Sequence, residues 1–280
     1  MNTSLGKTLR ILRKGKQVSL TSLADDSLSK SQISRFERGE SEISCVRLMN
    51  LLEKLNLGLD EFILFHQSTT GEQNHFLDHL NYIEREYHQN NIDKLKQLLS
   101  NESFALTELE QIMVKSIIHP LAPEMAPLKE ELLALTDYLF KVESWGIYEI
   151  VLFGNCVRSL PYQTYFLLTK EMLGNTILTS NNKKIIIQVA INCLIVSVNE
   201  NEFKNSEYLI QEINKHLKHE LFYYEKTVFL YATGYFEFKQ HKQSGQTKMK
   251  QAIQVFELLG ENHLKQEYEK HYLENTVSAQ

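Results

Sequence analysis

Helix breakers are scarce in this chain, which has 4 prolines and 11 glycines among 280 residues. Little interrupts a helical pattern, and β-type alternation is rare as well. Three cysteines, an odd count spread over the whole length, exclude a disulfide framework. No stretch approaches the roughly 20 apolar residues that span a bilayer, and the N-terminus lacks the apolar run of a signal peptide. The expectation is a cytosolic protein without a membrane partner. A glycine-rich phosphate loop, a dinucleotide fingerprint and a His-Glu-x-x-His pair are missing too. His75 with His79, and His216 with His219, have helical ligand spacing but no third ligand nearby, so surface histidines are expected rather than a metal site. Neither catalysis nor a cofactor is expected.

Net charge is −5, but it is unevenly placed. Residues 1–38 carry 8 Lys/Arg against 3 Asp/Glu, whereas residues 67–280 carry 20 against 27. A basic N-terminal end suits a polyanion, because the local field drives counterion release whatever the total charge.

Within that basic end, the run from Ser29 to Gly39 reads as a short helix. Ser29 is a good N-cap and Gly39 can take the left-handed conformation that ends it. Ile33 and Phe36 share an inward face, while Ser31, Ser34, Arg35 and Arg38 point outward, with Lys30 and Gln32 on the flanks. Gln and Arg suit base edges; Lys and Ser suit phosphate. Taken alone, the segment reads equally well as a solvated surface helix.

The surroundings favour the first reading. Residues 6–16 form an amphipathic basic helix, with Leu5, Leu9 and Leu12 on one face and Lys7, Arg10, Arg13 and Lys14 on the others. A second helix covers Leu20 to Ala24, whose small side chain allows a close crossing, and Asp25 to Leu28 make the turn. Cys45, Leu48, Leu51, Leu52 and Leu55 mark a fourth helix; Leu59, Phe62 and Ile63 mark a fifth. Residues 5–65 thus resemble the five-helix helix-turn-helix domain of the phage-repressor and xenobiotic-response-element type. That resemblance puts the third helix in the major groove and the first near phosphates. Glu37 is expected to be structural, since a carboxylate facing DNA would be repelled. Arg35, Gln32 and Ser31 are assigned to base edges, and Lys7, Arg10, Arg13, Lys14, Lys30 and Arg38 to phosphates.

Two domains are expected: 1–66 for DNA binding, a polar linker at 67–73, and 74–280 with its own core. The fold class is all-α. Helices are expected near 75–89, 91–100, 104–118, 125–142, 145–159, 162–173, 183–199, 202–217, 220–240, 245–259 and 261–274. Gly154-Asn155-Cys156-Val157 recurs 37 residues later as Ile191-Asn192-Cys193-Leu194, and Ala232-Thr233-Gly234 interrupts a third apolar helix. This period with two helices per unit fits a tetratricopeptide-like solenoid, whose concave side takes extended peptides.

Asn155 and Asn192 sit mid-helix among apolar residues, where an amide needs partners. Facing the groove they would clamp a peptide backbone; facing inward they would bond a neighbouring helix, and composition leaves the two equal. Arg158, three residues after Asn155, favours the groove, since a guanidinium among apolar neighbours invites a peptide carboxylate.

Leu135-Thr136-Asp137-Tyr138-Leu139-Phe140, Trp145-Gly146-Ile147-Tyr148-Glu149, Leu167 to Met172 and Tyr224 to Tyr231 extend a resemblance to the Rgg family of Gram-positive regulators over residues 4–272. The likeness is strongest to the branch that senses short hydrophobic peptide pheromones. It implies a homodimer on promoter DNA, with the signalling peptide in the concave face and Asn155, Arg158 and Asn192 at contact positions. Tyr223 and Tyr224 flank the same groove on this reading, or pack in the core. Cys45 is either a small core residue or, as the resemblance implies, a symmetric Cys45–Cys45 dimer contact, marginal as a disulfide in a reducing cytosol. Two rivals remain: a repeat domain that is a protein-interaction scaffold without a pheromone, and a helical enzyme with clustered carboxylates or histidines.

Overall fold

The structure is a computed structural model and describes residues 4–71, 75–89, 91–100, 106–179 and 182–276. Those residues are helical, without a strand, and fall into two compact units that divide between Asn81 and Tyr82.

The first unit holds α1 (Leu5–Gly15), α2 (Leu20–Leu23), α3 (Lys30–Glu37), α4 (Cys45–Lys54) and α5 (Leu59–Thr70). Leu9, Leu23, Ile33, Leu51, Leu52 and Phe62 are fully buried and make its core. Ser29 caps α3 reciprocally with Gln32: the Ser29 Oγ accepts from the Gln32 N–H, and the Gln32 Oε1 accepts from the Ser29 N–H at 2.9 Å. Gly39, at φ +75°, ends the helix. A close crossing is made at Gly6 on α1. A Cβ there would lie 1.8 Å from the Phe36 carbonyl oxygen, so only glycine lets α1 lie against the end of α3.

The stretch 67–73, expected as a linker, is helical as far as Thr70. The hydroxyls of Ser68, Thr69 and Thr70 donate back to carbonyls three and four residues earlier, which lets these polar residues stay in a helix. Residues 72–74 lie outside the described residues.

Beyond them run α6 (His75–His88), which carries the boundary between the units, α7 (Ile92–Ser100), α8 (Glu108–Ile118), α9 (Lys129–Lys141), α10 (Ile147–Cys156), a 3₁₀ turn at Val157–Ser159, and α11 (Tyr162–Asn175). Then come α12 (Lys183–Asn199), α13 (Phe203–Leu217), α14 (Tyr223–Lys239), α15 (Gln243–Leu258) and α16 (Asn262–Thr276). Even-numbered helices stack on one another, α8 on α10, α10 on α12 and α12 on α14, while odd-numbered ones pack against them. Two bonds, each across 37 residues, join α12 to α14 and to the connection before it: Lys183 with Glu220, and Gln188 with Glu225 at 2.9 Å. α12 is apolar around most of its circumference because it is enclosed on several sides, with Ile186, Val189, Ile191, Leu194 and Val198 all buried. α14 and α15 approach most closely where Gly234 faces Gly245; a Cβ on either would come within 2.8 Å of the other's carbonyl oxygen.

Candidate functional site

In the first unit, α3 presents Lys30, Ser31, Gln32, Arg35 and Arg38 to solvent, and α1 presents Lys7, Arg10 and Lys14. Lys7, Arg10, Lys14, Lys30 and Arg35 carry no ion pair among the described residues, so their charge is available to an anion. Others on this face are engaged. The Arg38 guanidinium donates to Glu40 Oε1 at 2.6 Å and Oε2 at 2.7 Å, and to Ser34 Oγ at 2.5 Å. That pair is half-exposed and therefore cheap to exchange for phosphate. Arg38 holds the Glu40 carboxyl below its usual range, with Arg35 adding to the effect. Gln32 spends its carbonyl oxygen on the cap of α3, which leaves its amide N–H groups for a base edge.

Arg13 corrects one expectation. Its side chain is 9% exposed and points inward, donating from Nε to Glu37 Oε1 at 2.6 Å, from Nη2 to Glu37 Oε2 at 2.8 Å, and from Nη1 to the Val18 carbonyl at 2.7 Å. Hydrogen bonding to Glu37 raises its pKa further, against the effect of burial. This two-pronged pair ties α1 to α3 and holds the guanidinium away from solvent, where a phosphate would lie. Cys45 is exposed at the start of α4 and is not a core residue. Cys156 and Cys193 are buried, and burial pushes their thiols up to about 12 and about 11, far from reactivity.

In the second unit, Asn155, Arg158 and Asn192 come together around one cleft of about 310 Å³. α10 and the turn after it supply the first two, and α12 the third. Ile83, Glu84 and Tyr87 of α6 form another wall, with the end of α8 contributing the rest. The Asn155 Nδ2 donates to the Val151 carbonyl of its own helix at 2.9 Å, which orients the amide and leaves its oxygen to accept. Asn192 and Arg158 are exposed. The cleft therefore offers a guanidinium and two amides beside apolar Ile83 and Val157, a set that can bind a carboxylate and peptide backbone together.

Tyr223 and Tyr224 do not line this cleft. They open α14, with Tyr223 exposed and the Tyr224 ring 6.4 Å from that of Phe256, so neither is core nor part of the constellation. The α6 wall was not singled out from the sequence. Ile83, Glu84 and Tyr87 share one helix face by spacing, but nothing in a lone helix tells which neighbour that face meets. His75 has a side chain outside the described residues, and His216 is partly buried, its pKa lowered chiefly by desolvation. Among the described residues no group of three or more His, Cys, Asp or Glu could hold a metal, and no helix is long and apolar enough to cross a membrane.

Residues 89–270 match the family model for the C-terminal domain of the HTH-type transcriptional regulator Rgg, and residues 9–62 match a helix-turn-helix model. The chain is similar to the SHP pheromone receptor Rgg2 of Streptococcus dysgalactiae, at 49% identity and a TM-score of 0.91, over 98% of this chain and 100% of that one. The C45S form of that receptor matches at 50% identity and 0.92, with the same coverage. PrgX in its complex with cCF10 matches at 16% identity and 0.71, over 97% of this chain and 99% of that one, which shows a shared fold.

Proposed function

The chain belongs to the Rgg family of helix-turn-helix transcriptional regulators, and from that premise we propose that it is a peptide-controlled transcription factor. It binds promoter DNA as a homodimer through α3 and α1. A short hydrophobic signalling peptide in the repeat domain sets that binding. The observation that carries this reading is the convergence of Asn155, Arg158 and Asn192 on one cleft, although 37 residues separate the two asparagines.

Each part has a chemical role. Arg158 takes the peptide's C-terminal carboxylate, and the Asn155 oxygen accepts from a peptide N–H. Asn192 donates to a peptide carbonyl, so the backbone is held whatever the side chains are. Ile83 and Val157 receive an apolar side chain. Similarity to a pheromone receptor over nearly the full chain supports this assignment. On DNA, Arg35, Gln32 and Ser31 read base edges, and Lys7, Arg10, Lys14 and Lys30 hold phosphates, with Arg38 and Ser34 joining once Glu40 is released. Exposed Cys45 lies where two copies meet. Occupancy shifts a pre-existing equilibrium of the dimer.

The test is fluorescence anisotropy of a labelled short hydrophobic peptide, with its C-terminus free or amidated, titrated with the protein and with Arg158→Ala. Saturable binding that weakens on either change is expected. Binding indifferent to both would move the ligand out of this cleft, and absence of binding across candidate peptides would favour the scaffold reading.

A further inference from the structure

Residues 67–280 carry 7 more acidic than basic side chains, yet the groove between α13 and α14 is basic. Two adjoining cavities, of about 560 Å³ and 340 Å³, share Asn214 and Phe229 as walls and so form one trough. Five lysines line it, at 215, 218, 226, 242 and 248, against one carboxylate, Glu237. Glu237 is already engaged, accepting from Lys248 Nζ at 2.6 Å and Ser244 Oγ at 2.8 Å. Lys215 meets Glu212 in an exposed contact within one helix, which is weak. Lys218, Lys226 and Lys242 are exposed and have no ion pair among the described residues.

Between these cations the floor is apolar, formed by Phe229 and Ile210, and Asn214 presents an amide. A lone anion would use the lysines and waste the floor, and so would a nucleic acid backbone. From Ile210 to Lys218 the trough follows α13 and its C-cap over eight residue steps, about 12 Å at the helical rise. About four residues of extended chain cover that length.

We propose that this trough docks an extended acidic segment of a partner protein, with an apolar side chain on Phe229 and carboxylates at Lys218 and Lys226. The site is separate from the α10–α12 cleft, and no lining residue is common to the two. Attraction between unlike surfaces steers the encounter, and the apolar anchor sets the register.

The test uses the full chain and a fluorescein-labelled peptide alternating Glu with Leu and Phe. Controls are the same peptide with Lys for Glu and a random-sequence DNA duplex. The variant is Lys218→Glu with Lys226→Glu, both exposed, its fold checked by circular dichroism and by retained binding of the hydrophobic signalling peptide. Saturable binding of the acidic peptide is expected, weakened about tenfold in the variant because two attractions become repulsions, with no binding of the Lys peptide. Equal affinity of variant and wild type, or no saturable binding by the wild type, overturns the proposal. A duplex that loses more affinity than the acidic peptide on charge reversal also overturns it and assigns the trough to nucleic acid.

Discussion

Arg13 and Arg158 have the same chemistry and opposite surroundings, and the difference decides what each does. Arg13 is enclosed with Glu37, which is 3% exposed. Removing one partner of such a pair leaves the other charge buried, so Arg13→Ala should cost about 3–5 kcal/mol, read from denaturant unfolding. The double change Arg13→Met with Glu37→Leu should recover most of that loss. Equal losses for single and double variants would show that the pair is not the source. Arg35, exposed and without an ion pair among the described residues, should behave otherwise: Arg35→Ala costs about 1–3 kcal/mol of discrimination at one base pair, whereas Lys14→Ala weakens all duplexes alike. Glu37 reads as structural from the sequence, whereas Arg13 reads as a phosphate contact although its spacing points inward. Arg13 follows Leu9 by four, and Glu37 follows Ile33 by four, so each shares an apolar face. Grouping Arg13 with the other cations of the basic helix hides its spacing. The convergence of Asn155 and Asn192 was legible because a fixed period repeats the same helix face.

Element by element, the helices were readable because few prolines interrupt them, and their registers follow apolar spacing. Close approaches were not readable, since a glycine in a helix gives no sign of what crosses it. Gly6 and Gly234 show the consequence. Gly6→Ala pushes a Cβ into the Phe36 carbonyl and should destabilise the first unit by at least about 1–3 kcal/mol, as thermal unfolding would register. α16 adds a pH dependence. Its His271 Nδ1 lies 2.8 Å from the Tyr231 hydroxyl, beside the rings of Tyr231 and Tyr235. Burial lowers the His271 pKa from 6.5, opposed by Glu274 and reinforced by Lys239. The folded chain therefore binds fewer protons than the unfolded chain as pH falls below 6.5. Stability that is complete above that pH is lost on acidification through the folded-state pKa. His271→Gln should flatten the fall in melting temperature between about pH 7.5 and pH 5.5, leaving the share of His216, whose pKa is also lowered. An unchanged slope would remove His271 from that role.

For the whole molecule, charge separates two tasks along one chain. Among the described residues the basic end holds five exposed cations without an ion pair on α1 and α3, and the acidic remainder gathers apolar and amide groups in a cleft. Salt dependence of DNA binding should reflect those cations. Replacing Lys7 or Lys30 by Ala should lower the slope of log affinity against log salt by about two units each, one for each protomer of the dimer, while substitutions in the repeat domain leave the slope alone. The two units divide between Asn81 and Tyr82, inside α6, and the polar stretch near residue 70, expected as a linker, is helical because its hydroxyls bond back to the chain. The central claim is that a peptide in the cleft controls DNA binding, and the most direct measurement is operator affinity with and without it. A labelled duplex selected from random sequences would be titrated with protein at zero and at saturating peptide, for wild type and for Arg158→Ala. The account predicts that peptide changes wild-type affinity about tenfold or more, equivalent to about 1.4 kcal/mol, and that the variant responds only at much higher peptide concentration. Identical operator affinity for the wild type at zero and saturating peptide would contradict it.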